Sequence, residues 1–329
     1  REALAIAQDV LGPRHPTTLV TRMTFVRISS ADDPRASLSQ LQEIEQELRS
    51  VVGERNARLA SLQLAIAIAE GAMGELDSSE ARMLGVVAMM RELAGAENNL
   101  VAGTHYQLGY VALRRRDLDG AWRHFSSSLE LFDGMDPGSH AALQPEIALA
   151  NIASQREQWP DAIARFRRAL ARLEGEQTDG RRADVLVKLA SALFDSGEPE
   201  HARVYVEEAL PIMAASFGPD SQRMAELLHL RGDLEQRDGD LEAAIATYAE
   251  AERIMLARAN RLWRIIGYGR YRRAQLLAEA GRGVEARAFA QSAISAYEQD
   301  GHAQAQIDEL RVWIEQHAGR SRRSASAAD

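Results

Sequence analysis

The 329-residue chain contains no cysteine. That excludes a disulfide framework, a zinc–thiolate site, a thiol nucleophile and a thiolate-held iron–sulfur cluster. Lysine is almost absent: Lys188 stands alone against 38 arginines. It follows Val185-Leu186-Val187, so there is no phosphate-cradling G-x-x-x-x-G-K-[ST] loop. Aromatic residues make up 5% of the chain, a poor supply for a β-sandwich core and a better match to closely packed helices. No run of 18 apolar residues occurs, so no helix is expected to span a membrane. The eight histidines include no H-E-x-x-H, and no histidine pair shares metal-ligand spacing with a carboxylate. The Gly-rich loop, H-R-D and D-F-G of a kinase are missing as well. The sequence therefore offers no catalytic, cofactor-binding or metal-binding residues, and no cofactor is expected.

What is present is alanine, 56 of them, in a chain that is 46% hydrophobic and carries a net charge of −9. That much apolar content is enough for a folded core. The arginine-for-lysine skew points to a high-GC, bacterial source, and the expected location is cytoplasmic. The chain opens Arg1-Glu2-Ala3-Leu4-Ala5-Ile6-Ala7, already an amphipathic helix without the features of a signal peptide. This start reads as a piece cut from a longer protein. Residues 319–329, GRSRRSASAAD, are small and polar and read as a disordered tail.

A repeat of 40–42 residues organises the rest. Small residues stand at Gly109, Ala150, Ala190, Gly232 and Ala274. Twelve residues after each comes a second small column, Ala121, Ala162, Ala202, Ala244 and Ala286. Four residues later come Phe125, Phe166, Val206, Tyr248 and Ala290, and three further on Ser128, Ala169, Ala209, Ala251 and Ala293. Turn signals lie between the small columns: Asp119-Gly120, Trp159-Pro160, Gly197-Glu198-Pro199, Gly239-Asp240 and Gly281-Arg282-Gly283. Each unit reads as two helices joined by a tight turn. The small residue lets the second helix approach, and the large one fills the space beside it. One such hairpin cannot bury its apolar face alone, so the units must stack.

These columns resemble the tetratricopeptide repeat, with Leu108-Gly109, Ala121 and Phe125 the best match. Arg231-Gly232 and Arg273-Ala274 depart from it at the leucine, and those two repeats are expected to pack less tightly. The period and loops such as Leu11-Gly12-Pro13-Arg14-His15-Pro16 and Phe217-Gly218-Pro219-Asp220 resemble the long, kinesin-light-chain type. The resemblance implies an all-α fold, a right-handed superhelical solenoid of helix–turn–helix repeats. The expected organisation is one solenoid over residues 1–318: a half repeat at 1–11, about seven repeats over 17–300, and a capping helix at 303–317 with Ile307, Leu310 and Ile314 inward.

In this family the first helix of each repeat lines a concave channel for an extended peptide or a partner helix. Residues one position after the first small column would point there: Tyr110, Asn151, Ser191, Asp233 and Gln275. So would those three before it: Tyr106, Ile147, Val187, His229 and Tyr271. The groove expected to bind peptide is therefore Tyr106, Tyr110, Asn151, Ser191, His229, Asp233, Tyr271 and Gln275. The tyrosines offer amphipathic contact area, while Asn151 and Gln275 can both donate to and accept from a peptide backbone. Family members that grip the C-terminal carboxylate of heat-shock chaperones pair such an asparagine with lysine. No lysine accompanies Asn151, which argues against that role.

Seven arginines, Arg253, Arg258, Arg261, Arg264, Arg270, Arg272 and Arg273, lie between Arg253 and Ala278 with no Asp or Glu among them. Trp263, Tyr268 and Tyr271 are interleaved. The segment is either an anion patch for an acidic peptide or phosphorylated segment, or it pairs with acids of the adjacent repeat such as Glu226, Asp233 and Glu235. Nucleic acid fits poorly with an acidic chain. Gly267-Tyr268-Gly269 begins like a dinucleotide fingerprint but lacks its third glycine and a preceding strand.

Arg- and Ala-rich repeats with a Gly-Pro-Arg-His-Pro loop resemble the C-terminal repeat regions of bacterial serine/threonine kinases of myxobacterial type. The function this implies is a non-catalytic scaffold that recruits a protein or peptide, without a membrane, for a larger signalling protein. The alternative is the sensory region of a transcriptional regulator.

Overall fold

The computed structural model describes residues 1–29, 33–95, 97–175, 180–258 and 261–318. The expected tail at 319–329 lies outside them. Among the described residues all regular structure is helical. The chain divides into two compact units, Arg1–Glu157 and Gln158–Asp329.

The first unit holds α1 (Glu2–Leu11), α2 (Pro16–Ser29), α3 (Pro34–Val52), α4 (Ala57–Ala72), α5 (Leu76–Ala94), α6 (Asn99–Arg114), α7 (Leu118–Met135) and α8 (Leu143–Gln155). A short 3-10 turn, His140–Ala142, precedes α8. Helix α1 buries none of its residues, and the Thr18 hydroxyl donates to the Ala7 carbonyl at 3.0 Å. Leu19, Leu41, Ile44, Leu48, Leu59 and Ile66 form the core of α2, α3 and α4. Between α4 and α5 the Ser79 hydroxyl donates to the Ala67 carbonyl at 2.7 Å. The fully buried Phe125 of α7 lies against Gly109 of α6, where a Cβ would fall 2.5 Å from the ring.

The second unit holds α9 (Trp159–Ala171), α10 (Gly180–Asp195), α11 (Pro199–Phe217), α12 (Gln222–Arg237), α13 (Leu241–Leu256), α14 (Trp263–Glu279), α15 (Gly283–Asp300) and α16 (Gln304–Ala318). Contacts are densest within the hairpins α10–α11, α12–α13 and α14–α15. Tyr248 of α13 lies against Gly232 of α12, the same arrangement as Phe125 on Gly109. In α14–α15 the large residue has moved. Position 290 is alanine, and Tyr297 fills the space instead, against Gly267. Helix α16 lays Ile307 and Leu310 on this hairpin, with Ile314 beside them.

Both small columns and the positions four and seven residues after the second are buried in every repeat from Gly109 to Ala293. The two arginine-substituted repeats are not looser. Gly232 and Ala274 are as buried as the rest: Tyr248 covers Gly232, and Ala274 lies in the apolar cluster of α14, α15 and α16, while the arginines pack elsewhere. Arg273 lies 4.0 Å above the Phe289 ring, and Arg231 pairs with Glu235 one helical turn on.

Two turn signals fall elsewhere than expected. Asp119-Gly120 and Trp159-Pro160 sit in the first turns of α7 and α9. Asp117 caps α7 by accepting from the Gly120 N–H at 2.8 Å, and Pro160 occupies an early position that needs no N–H. The left-handed turn residues there are Arg116 and Glu157, at φ 61° and 57°, where the other hairpins use Gly74, Gly197, Gly239 and Gly281.

Candidate functional site

In the first unit Tyr106 and Tyr110 sit one turn apart on α6. Their hydroxyls bond at 2.9 Å and both rings pack on Phe125, with Tyr110 exposed. Burial pushes the Tyr106 hydroxyl well above the usual phenol range. Asn151 is exposed on α8.

The second unit brings together Ser191, His229, Asp233, Tyr271 and Gln275. Asp233 is the centre of a polar network. One carboxylate oxygen accepts from the Tyr248 hydroxyl and from the Arg272 guanidinium, each at 2.6 Å. Arg272 also donates to the Tyr248 hydroxyl at 3.2 Å, to Gln275 at 3.1 Å and to Gln236. His229 lies between the Tyr248 and Tyr268 rings, at centroid distances of 5.6 and 5.7 Å. Burial lowers its pKa to about 4, against the pull of Asp233, so the ring is neutral at pH 7. The Gly267-Tyr268-Gly269 run is mid-helix and does not form a phosphate turn. Gly267 seats Tyr297, and Gly269 lets α14 approach the His229 ring. Tyr271 is tied to α16: its hydroxyl donates to Glu309 at 3.0 Å and its ring meets Trp313 edge-on.

Two cavities open on this face. One of about 390 Å³, between α10, α12 and α14, is lined by Ser191, Asp195, Glu226, Asp233, Tyr268 and Arg272. The other, of about 430 Å³ and reaching α16, is lined by Glu226, His229, Arg264, Tyr268, Tyr297 and Gln306. A third, about 710 Å³, has Gln236, Arg272 and Gln275 on one side and Trp313 stacked on His317 on the other.

The arginine segment is largely paired. Arg253 meets Asp220 and Glu250 at 2.6 Å, Arg272 meets Asp233 at 2.6 Å, and Arg270 and Arg273 share Glu252 at 2.6 and 2.7 Å. Asp233 was one of the acids named from the sequence. The other partners differ, since Glu235 takes Arg231 and Glu226 accepts from Gln222. Arg261 donates to the Leu256 carbonyl and lies over Trp263. Arg258 and Arg264 are exposed, and among the described residues neither has a carboxylate within ion-pair distance.

Sequence reasoning stopped at two positions per first helix and so missed Asp195, Glu226, Tyr268, Tyr297 and Gln306 as lining. Most of the signal was there. Continuing the alternation of three and four residues one turn further reaches Asp195, five after Ala190, and Glu226 and Tyr268, six before Gly232 and Ala274. Another turn back from Tyr268 reaches Arg264.

Residues 181–257, from α10 through α13, match the tetratricopeptide repeat family. The chain's fold is similar to that of a putative kinesin light chain with nearly identical repeats from Podosopora anserina, 16% identical, with a TM-score of 0.52 over 61% of this chain and 97% of that one. It is also similar to the Rap conjugation gene regulator of the plasmid pLS20, solved with the Phr* peptide, 17% identical, with a TM-score of 0.56 over 92% and 78%. A curated relative, Cellulose synthase operon protein C of Pseudomonas fluorescens (strain SBW25), is 34% identical over 117 residues, 36% of this chain. The chain spans about 8% of that protein's length. The described residues form an all-α fold similar to that of kinesin-light-chain-like repeat proteins, with the tetratricopeptide repeat match at residues 181–257.

Proposed function

We propose that the chain is a non-catalytic scaffold that holds a peptide segment of another protein on the first-helix face of its second unit. The observation that carries this is the pair of adjoining cavities across α10, α12, α14 and α16. Asp233 and Arg272, fixed with Tyr248 in one network, line the first, His229 and Tyr297 line the second, and Tyr268, Asp195 and Arg264 stand exposed around them. A rigid floor with exposed aromatic and polar side chains binds at low ordering cost. The peptide in the Rap regulator structure adds that this fold can hold such a ligand.

The wider role we infer is recruitment or sensing for a larger bacterial signalling protein such as a serine/threonine kinase, supported by the arginine- and alanine-rich repeats. A transcriptional regulator is the other context. The parent gene distinguishes the two, by a kinase signature or a helix-turn-helix beside these repeats.

Panning a random heptapeptide library on the chain tests the site. Selected peptides should lose binding to a His229→Ala/Tyr268→Ala variant whose helical circular dichroism is unchanged. Peptides that bind that variant as well as the original place the ligand elsewhere and overturn the proposal.

A further inference from the structure

The two cavities are halves of one surface, since both are lined by Glu226 and Tyr268. Their free charges are opposite in sign and lie at opposite ends. At the α10 end stands the Asp195 carboxylate, exposed and without an ion-pair or hydrogen-bond partner among the described residues. Partial burial and the charge of Asp233 hold it above the usual carboxylate range. At the α16 end stands Arg264, the arginine of the segment that faces this surface without an acid. Between them, among the described residues, only Glu226 keeps an unpaired charge, and it adds to the acidic side. Asp233 is held by Arg272 and Tyr248, Glu226 accepts from Gln222, and His229 is neutral. The middle is aromatic, with Tyr268 and His229 flanked by the buried Tyr297.

We propose that this face selects a peptide segment of mixed charge in a fixed order: a Lys or Arg against Asp195, an aromatic or aliphatic residue on Tyr268 and His229, and an Asp or Glu against Arg264. This rests on the reading of the face as the ligand site and adds the chemistry of its ligand. A uniformly acidic ligand, which the seven arginines suggest from sequence, would bring like charge to Asp195 and Glu226. That juxtaposition suppresses wrong partners.

The heptapeptides selected on the full chain provide the test. Expected sequences carry one basic and one acidic residue on either side of an apolar one. In fluorescence anisotropy with a labelled consensus peptide, Asp195→Lys and Arg264→Glu should each weaken binding about tenfold at low salt, and less at high salt. Both side chains are exposed, so neither change disturbs the core. The double reversal should prefer the same peptide with its two charges exchanged. Peptides that depend on Tyr268 but show no charge order, or that ignore both reversals, overturn this inference and leave the site standing. Peptides indifferent to Tyr268 and His229, or a library that yields no binder, overturn both.

Discussion

At the scale of single residues, the small columns work by subtraction. Gly109 has no Cβ because one would sit 2.5 Å from the Phe125 ring, which is itself fully buried and cannot swing away. Gly109→Ala should therefore destabilise by about 1–3 kcal/mol, as overpacking does in a dense core. Gly85, mid-helix on α5 with open space around it, is the matched control. There alanine should stabilise by up to about 1 kcal/mol through helix propensity. Denaturant midpoints of the two variants should move in opposite directions. The Asp233 carboxylate makes the same point for polar groups. Removing it in Asp233→Ala strands the Arg272 guanidinium and the buried Tyr248 hydroxyl together, at a cost of about 2–4 kcal/mol.

At the scale of the helical hairpin, the sequence showed some things plainly and hid others for physical reasons. The packing columns were legible because a close helix approach demands a small residue at one place in each repeat, and spacing exposes it. The turns were only partly legible. Four hairpins mark the left-handed residue with glycine, but Arg116 and Glu157 occupy the same backbone state, and composition gives no sign of it. The nearby Asp119-Gly120 and Trp159-Pro160 are helix-start chemistry instead. The cavity-lining face of the first helices was legible where it follows helical spacing. The pairing of the arginines was not, because Asp220 is brought to Arg253 by the α11–α12 loop and Glu252 to Arg270 and Arg273 by helix α13. Arg116 also gives a prediction. An L-residue in the left-handed region costs roughly 1–2 kcal/mol, more than the roughly 0.5–1 kcal/mol of extra chain entropy that glycine brings. Arg116 is exposed, so Arg116→Gly should raise the midpoint of thermal unfolding, and Gly239→Ala should lower it.

At the scale of the whole chain, the net charge of −9 says little about how acid will act on it. What matters is which groups change their proton affinity on folding. Each unit holds a histidine kept neutral. In the first, burial, helped by His124 and Arg91, lowers His105 to about 4, with its Nδ1 3.3 Å from that of His124, which burial also depresses. In the second, burial lowers His229 to about 4. In the unfolded chain these rings titrate near 6.5. Between the two values the unfolded state binds more protons, so stability rises with pH across that interval and is fully present above it. On acidification it drains away from about pH 6.5 down to about 4. Asp184 and Asp195, held above the usual carboxylate range by burial, act in the opposite sense. For His229 alone the loss approaches at most about 3 kcal/mol, with a slope near 1.4 kcal/mol per pH unit for one proton. Urea unfolding from pH 7.5 to 4.5 should show the summed slope of both histidines, and His229→Gln should remove its one-proton part while leaving the His105 share in place. A midpoint indifferent to pH across this range would mean that the two imidazoles are solvated in the folded chain. The aromatic floor between Asp195 and Arg264 would then be wetter, and a weaker seat for an apolar side chain, than the packing of His229 between Tyr248 and Tyr268 implies.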